Sequence, residues 1–157
     1  MAETVEQTIE KLRHNYPGEI LETRQVGLDE VFVTVPATYI VAFCKFLIEQ
    51  GWWHLTTITG QDLGESIQLL YHFNGDESPS ITAVTEIATD EPKIASITPD
   101  VPAATMYERE INDLFGVVFE GHPRPGRLVL PDDWPEGVYP LRLDEIQKRA
   151  ESDGENG

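Results

Sequence analysis

Ile67-Gln68-Leu69-Leu70-Tyr71-His72-Phe73, followed by Asn74-Gly75-Asp76, is the stretch that decides the fold. Ile67, Leu69, Tyr71 and Phe73 recur at every second residue, the period of a strand with one buried face. The Asn-Gly-Asp turn then returns the chain toward a further strand at 81–87. Upstream, Trp53, Leu55 and Thr57 read as the preceding strand. Asp90-Glu91-Pro92 breaks the pattern, and 93–98 reads as one more short strand.

Outward from this sheet the period changes to that of a helix. Val5, Ile9, Leu12 and Tyr16 share a helical face over 4–15; Glu3 and Glu6 suit its positive end, and Pro17-Gly18 stops it. Strands at 20–26 and 31–35 follow, joined at Gly27-Leu28-Asp29-Glu30. Pro36 opens a second helix with Ile40, Phe43, Cys44 and Leu47 inward, and Gly51 closes it. A third helix is expected with Asp100 as its cap and Pro102 in its first turn. Its apolar stripe is Ala104, Tyr107, Ile111 and Leu114; Glu108, Arg109, Asn112 and Asp113 take the other side, and Gly116 ends it.

The expected architecture is therefore α+β, a two-layer domain over 1–116 with helices packed on a largely antiparallel sheet. Residues 117–143 lose all periodicity. They hold Pro123, Pro125, Pro131, Pro135 and Pro140, yet also Val117, Phe119, Leu128, Leu130, Trp134 and Leu141. An extended segment so apolar must lie on something, either its own domain or a neighbour. Residues 144–157 read as a charged, frayed tail.

The 157 residues carry 28 Asp and Glu against 11 Lys and Arg, a net charge of −17. Nucleic acid and anionic membrane are poor partners for such a surface. Cys44 is the one cysteine, so there is no intrachain disulfide and no Cys-x-x-Cys pair for a cluster or zinc. Its apolar neighbours place it in the core. The chain opens Ala2-Glu3-Thr4-Val5-Glu6 after Met1, acidic where a secretory signal is basic and then apolar. The longest apolar stretch falls far short of the ~20 residues that span a bilayer.

One segment goes beyond fold. Tyr107-Glu108-Arg109-Glu110-Ile111-Asn112-Asp113-Leu114-Phe115-Gly116, then Gly121-His122-Pro123, Arg127, Pro131-Asp132-Asp133-Trp134 and Pro140-Leu141-Arg142 stand in this order. Together they resemble the motif of the family of the thirty-kilodalton subunit of complex I (NADH dehydrogenase). The motif covers about a quarter of the chain, and the preceding elements come in an order similar to that family's. The resemblance implies a subunit of the hydrophilic arm, packed beside a hydrogenase large-subunit homologue of the forty-nine-kilodalton type and a neighbouring small cluster-bearing subunit. It implies no cofactor in this chain, with nickel–iron and iron–sulfur centres in those partners. It further implies a peripheral place at the cytoplasmic face of the membrane, reached only through the complex. Two departures from the respiratory branch stand out: His122-Pro123-Arg124-Pro125-Gly126-Arg127 in place of His-Pro-x-Leu-Arg-Arg, and Leu143 where that branch has Lys after Pro-Leu-Arg. The wording at 130–135 is similar to the energy-converting, membrane-bound [NiFe]-hydrogenase branch (group 4). The other branch, a respiratory NADH:quinone or F420H2 dehydrogenase, assigns the same role.

Read for chemistry alone, Glu108 and Glu110 diverge by about 200° on a helix and cannot face one ion. Arg109 and Asp113, four apart, can pair along one face. Either that face is covered by a partner or it is solvated. His122 in Gly-His-Pro is expected to fix a turn by hydrogen bonding. Arg124, Arg127 and Arg142 suit bidentate carboxylate partners, either on another protein of the complex or at Asp132, Asp133 or Glu136. His14, His54 and His72 show no ligand spacing, and no glycine-rich phosphate loop is present. No catalytic, cofactor-binding or metal-binding residue is assigned: the motif residues, with 117–143 as an extended docking segment, are expected to act by docking on a partner. The reading from a different class is a stand-alone small enzyme using Glu and His as acid and base.

Overall fold

A computed structural model describes residues 3–76, 79–124 and 126–155; Met1, Ala2, Glu77, Ser78, Pro125, Asn156 and Gly157 lie outside them. Helix α1 (Val5–Asn15) is capped by Thr4, whose hydroxyl accepts the Gln7 N–H while the Gln7 side chain returns the bond to the Thr4 N–H. Strands β1 (Glu22–Val26) and β2 (Glu30–Thr34) form an antiparallel hairpin. A single 3-10 turn, Ala37–Tyr39, leads from Pro36 into α2 (Ile40–Glu49). Strands β3 (His54–Asp62), β4 (Ser66–Asn74) and β5 (Ser80–Ala88) form an antiparallel meander. The sheet order is β1-β2-β5-β4-β3, and only the β2–β5 pair is parallel.

Register puts Val31 and Val33 of β2, Ile81 and Ala83 of β5, and Tyr71 and Phe73 of β4 on one face. That face and the helices enclose one core containing Leu12, Phe43, Cys44, Leu47 and Trp52. Burial, with the nearby negative charge of Glu108, pushes the Cys44 thiol well up, so it behaves as packing. The fold is thus α+β with a mostly antiparallel sheet, as the alternation at 67–73 requires.

Three local expectations are corrected. Trp52, not Trp53, is the core residue: its ring is fully buried and its Nε1 donates to Pro79 O at 2.8 Å. A bulge between Leu55 and Thr57 shifts the register, so Ile58, rather than Thr57, follows Leu55 inward. The third helix, α3 (Ala104–Phe115), starts later than expected: its N-cap is Ala103 without a side-chain bond, and Asp100 and Pro102 lie in the preceding turn.

The core also runs past Gly116. Strand β6 (Lys93–Ala95) pairs in parallel with β7 (Val118–Glu120), and Val117 and Phe119 are buried. The tail from 144 is no frayed coil: Leu143–Glu155 is helix α4. Gly60 on β3 shows how closely α3 lies on the sheet, since a Cβ there would stand 2.9 Å from the Phe115 ring.

The Trp52 assignment has a direct check in urea unfolding of single variants. Trp52→Ala should cost about 3–5 kcal/mol, as truncation of a buried aromatic does. Trp53→Ala, at an exposed position, should stay within about 0.5 kcal/mol of the parent. Equal losses would contradict the register.

Candidate functional site

Helix α3 and the segment after it carry the motif residues, and the helix buries charge where its apolar stripe predicts solvent. The buried line is Ala104, Glu108, Ile111 and Phe115, with Asp113 also buried; Tyr107 and Leu114 are half-buried. Both carboxylates are satisfied by groups distant in sequence.

Glu108 is fully buried. Ser96 Oγ donates to its Oε2 at 2.6 Å and the Ile97 N–H to its Oε1 at 2.8 Å, while Thr98 Oγ1 lies 2.6 Å from Ser96 Oγ. Burial pushes its pKa up against the opposing pull of Ser96, the Ile97 N–H and His122. His122 Nε2 stands 3.9 Å from Glu108 Oε2 and donates to Thr105 O at 3.0 Å; its Nδ1 accepts the Arg124 N–H at 2.9 Å. These two backbone contacts set the ring's tautomer with the proton on Nε2 and close the turn that follows β7. The turn role expected of His122 is what the geometry holds.

Asp113 does not pair with Arg109. Its Oδ2 accepts three successive backbone N–H groups, from Leu128 at 2.7 Å, Val129 at 2.7 Å and Leu130 at 3.1 Å. Arg109 donates from Nη2 to Arg127 O at 2.9 Å, the carbonyl of the same peptide whose N–H, that of Leu128, Asp113 accepts. One carboxylate oxygen thus supplies acceptors for three N–H groups of an irregular segment that has no ladder or helix of its own.

The remaining motif residues extend the clamp. Asn112 Nδ2 donates to Val117 O at 2.8 Å, and Arg127 Nη1 to Pro131 O at 2.9 Å and Asp132 O at 3.3 Å. Trp134 is half-buried, and its Nε1 donates to Val138 O at 2.8 Å. Gly116 ends α3 with φ +77°, and a Cβ there would stand 2.5 Å from the Tyr139 ring, so both backbone and space demand glycine. Pro140 is buried, and the Leu141 N–H donates to Leu114 O at 3.0 Å.

Arg142 locks the end of the segment. Its Nε donates to Asp62 Oδ2 at 3.1 Å, Nη1 to Phe115 O at 3.2 Å and Nη2 to Thr89 O at 3.3 Å. Asp62, from the end of β3, also accepts the Leu143 and Gly64 N–H groups at 3.0 and 2.9 Å. Asp62 escaped sequence reasoning; the signal for it is Asp62-Leu63-Gly64, an aspartate that caps its own turn two residues on. Arg127 and Arg142 are thus engaged within the chain, though through carbonyls and Asp62 rather than the side chains of Asp132, Asp133 or Glu136. Glu110, Gly121, Pro123, Arg124, Pro131 and Asp132 are exposed. Glu108 and Glu110 diverge as helical geometry requires, one buried and one exposed. Beside Glu108, Arg109 and His122 a cavity of about 60 Å³ opens, against the ~300 Å³ or more of ordinary ligand pockets.

With this clamp in view, comparison with known proteins decides the family. Residues 33–151 match the family described as "Respiratory-chain NADH dehydrogenase, 30 Kd subunit". The chain belongs to this family. Among its relatives, formate hydrogenlyase subunit 5 of Escherichia coli is 36% identical over 88% of this chain, but only 25% of that protein's length is covered. The chain therefore spans about a quarter of that relative, and about a quarter of hydrogenase-4 component G of the same organism. The membrane-bound hydrogenase subunit beta of Pyrococcus furiosus is 31% identical, covering 89% of this chain and 85% of that one. An NADH-quinone oxidoreductase subunit of Moorella thermoacetica is 34% identical, covering 87% and 91%. A subunit in the structure of an archaeal membrane-bound sulfane sulfur reductase superposes with a TM-score of 0.79 at 26% identity, over 93% of this chain and 91% of that one. Nqo5, as its trypsin-resistant fragment 1–134, superposes with a TM-score of 0.64 at 25% identity, over 76% and 98%. Among the described residues no helix of this family member is long and apolar enough to cross a membrane.

The Arg142–Asp62 lock should be acid-sensitive. Burial alone would raise the Asp62 carboxyl, but the Leu143 and Gly64 N–H groups and the Arg142 guanidinium outweigh it and hold it below the usual range. A folded pKa below the unfolded one stabilises fully above the unfolded value, near ~3.9, and the contribution is lost as pH falls through the folded value. Denaturant midpoints measured from pH 6 to pH 2 should therefore fall less steeply for Asp62→Asn, which begins less stable at pH 6. Parallel profiles for parent and variant would contradict the assignment.

Proposed function

We propose that this chain is a non-catalytic assembly subunit in the hydrophilic arm of a membrane-bound, ion-pumping [NiFe]-hydrogenase complex. It docks on a hydrogenase large-subunit homologue beside a small cluster-bearing subunit, at the cytoplasmic face. The observation that carries the reading is the engagement of the chemically capable motif side chains. Glu108, Asp113, Arg109 and Arg142 all hold this chain's own backbone. A cavity of about 60 Å³ beside the Glu108–His122 pair has room for a few waters and no substrate. Acid–base catalysis by that pair in a stand-alone enzyme would need room for one.

The E. coli relatives support the choice of partner. There the same domain is a quarter of a longer chain, covalently joined to the remaining three quarters. That continuity is what supports a large-subunit homologue as the body this domain packs against. Metal centres and electron transfer then belong to the partners, and this chain supplies position. Glu110, Gly121, Pro123, Pro131, Asp132, Asp133, Leu141 and the exposed part of Trp134 are motif residues open to contact. The 34% identity to the Moorella NADH-quinone oxidoreductase subunit equals that to hydrogenase-4 component G, so the same role in an NADH:quinone or F420H2 dehydrogenase is the second reading.

Purification of the native complex through a tag on this chain tests both levels. The expected complex contains the large-subunit homologue and nickel, and it evolves or consumes hydrogen. A nickel-free complex oxidising NADH or F420H2 would move the protein to the second reading. Turnover by the purified chain alone, or its isolation without a large-subunit homologue, would overturn the assembly role.

A further inference from the structure

Helix α4 is the element that the clamp leaves uncovered. Of its 13 residues only Glu145 is half-buried among those with described side chains, and the others are exposed. Helices of this length are marginal in water unless an apolar face packs against something. Composition gives little help. Gly154 sits in its last turn with Asp153, and no basic residue balances the negative end of the dipole there. Its own domain holds it at two places, the Leu143 N–H on Asp62 and Arg149 over the Trp134 ring at 5.5 Å.

Its apolar residues are grouped at the near end. Leu143 and Ile146, three apart and so on one side of the helix, are 38% and 45% exposed. Leu141 and Leu63, the neighbours of Arg142 and Asp62, are 42% and 46% exposed. Four large apolar residues thus gather about one ion pair. Around them α4 is acidic: Asp144, Glu145, Glu151, Asp153 and Glu155 outnumber Lys148 and Arg149.

We infer that α4 is a docking helix, its Leu143–Ile146 side, with Leu63 and Leu141, seating in an apolar groove with a basic rim on the large partner subunit. The inference rests on the assembly role proposed above. Charge selects the occupant. A second copy of this chain would set another surface of net charge −17 against the first, and an anionic bilayer would repel α4 in the same way. The E. coli relatives show the domain continuous with a body three times its own share of the chain.

Trypsin reads the arrangement directly, because Lys148 and Arg149 are exposed cleavage sites within α4. The chain alone and the chain co-expressed with the large-subunit homologue of its own organism are digested in parallel, and cleavage after the two residues is followed by mass spectrometry. Cleavage should be at least tenfold slower in the complex. Leu143→Ser with Ile146→Ser should abolish that protection and weaken retention of the large subunit at least tenfold. Salt should weaken retention of the parent as well. Unprotected Lys148 and Arg149 in an assembled parent complex would overturn the docking helix and leave the assembly role standing. Failure of the parent to assemble would remove both. Dimerisation of the chain alone, lost in the double variant, would give the surface to a second copy and overturn the inference.

Discussion

One carboxylate oxygen, Oδ2 of Asp113, accepts the N–H groups of Leu128, Val129 and Leu130 in succession. The rest of the C-terminal third depends on it. A chain stretch broken by Pro123, Pro131, Pro135 and Pro140 cannot satisfy its donors by a ladder or a helix. Three donors converging on an anion form a nest, and hydrogen bonds to a charged group are the strong kind, each worth about 1.5–3 kcal/mol. With 128–130 fixed against α3, Arg109 can hold Arg127 O, Tyr139 can lie over Gly116, and Arg142 can reach Asp62 and Phe115 O.

Glu108 performs the same service toward the other side of α3. Fully buried, it joins the segment after β6 to the helix through Ser96 and Ile97, and His122 ties the turn after β7 to Thr105. The Glu-Arg-Glu helix is therefore a hub. Glu108, Asp113 and Arg109 organise backbone from both flanking segments, and of the helix's charged residues Glu110 is the exposed one. The motif's charges here replace secondary structure as the means of ordering backbone. The outer surface of the clamped segment and most of α4 stay exposed.

Periodicity made the sheet and the first two helices legible, because Ile67 to Phe73, Val5 to Tyr16 and Ile40 to Leu47 obey one period each. It failed where a carboxylate is buried. Hydropathy assigns Glu108 and Asp113 to solvent, and nothing local reveals that Ser96, Ile97 and residues 128–130 supply their donors. It failed at Trp52 because that residue precedes β3 and lies outside its alternation, and at Thr57 because a bulge after Leu55 shifts the register. Helix α4 was hidden for another reason: its apolar residues are too few to form a stripe, and most of its length is charged. The motif, by contrast, announced the family through residue order alone, while the role of each member required coordinates.

Helix α3 orders the segment after it within this chain, before any partner arrives. Amide exchange of Leu128, Val129 and Leu130 in the isolated protein tests this most directly. These amides should exchange at least tenfold slower than unstructured peptide in the parent and lose most of that protection in Asp113→Asn, while β4 and β5 keep theirs. Exchange at the unstructured rate in the parent would mean that only a partner orders the segment, and would contradict the role assigned to Asp113.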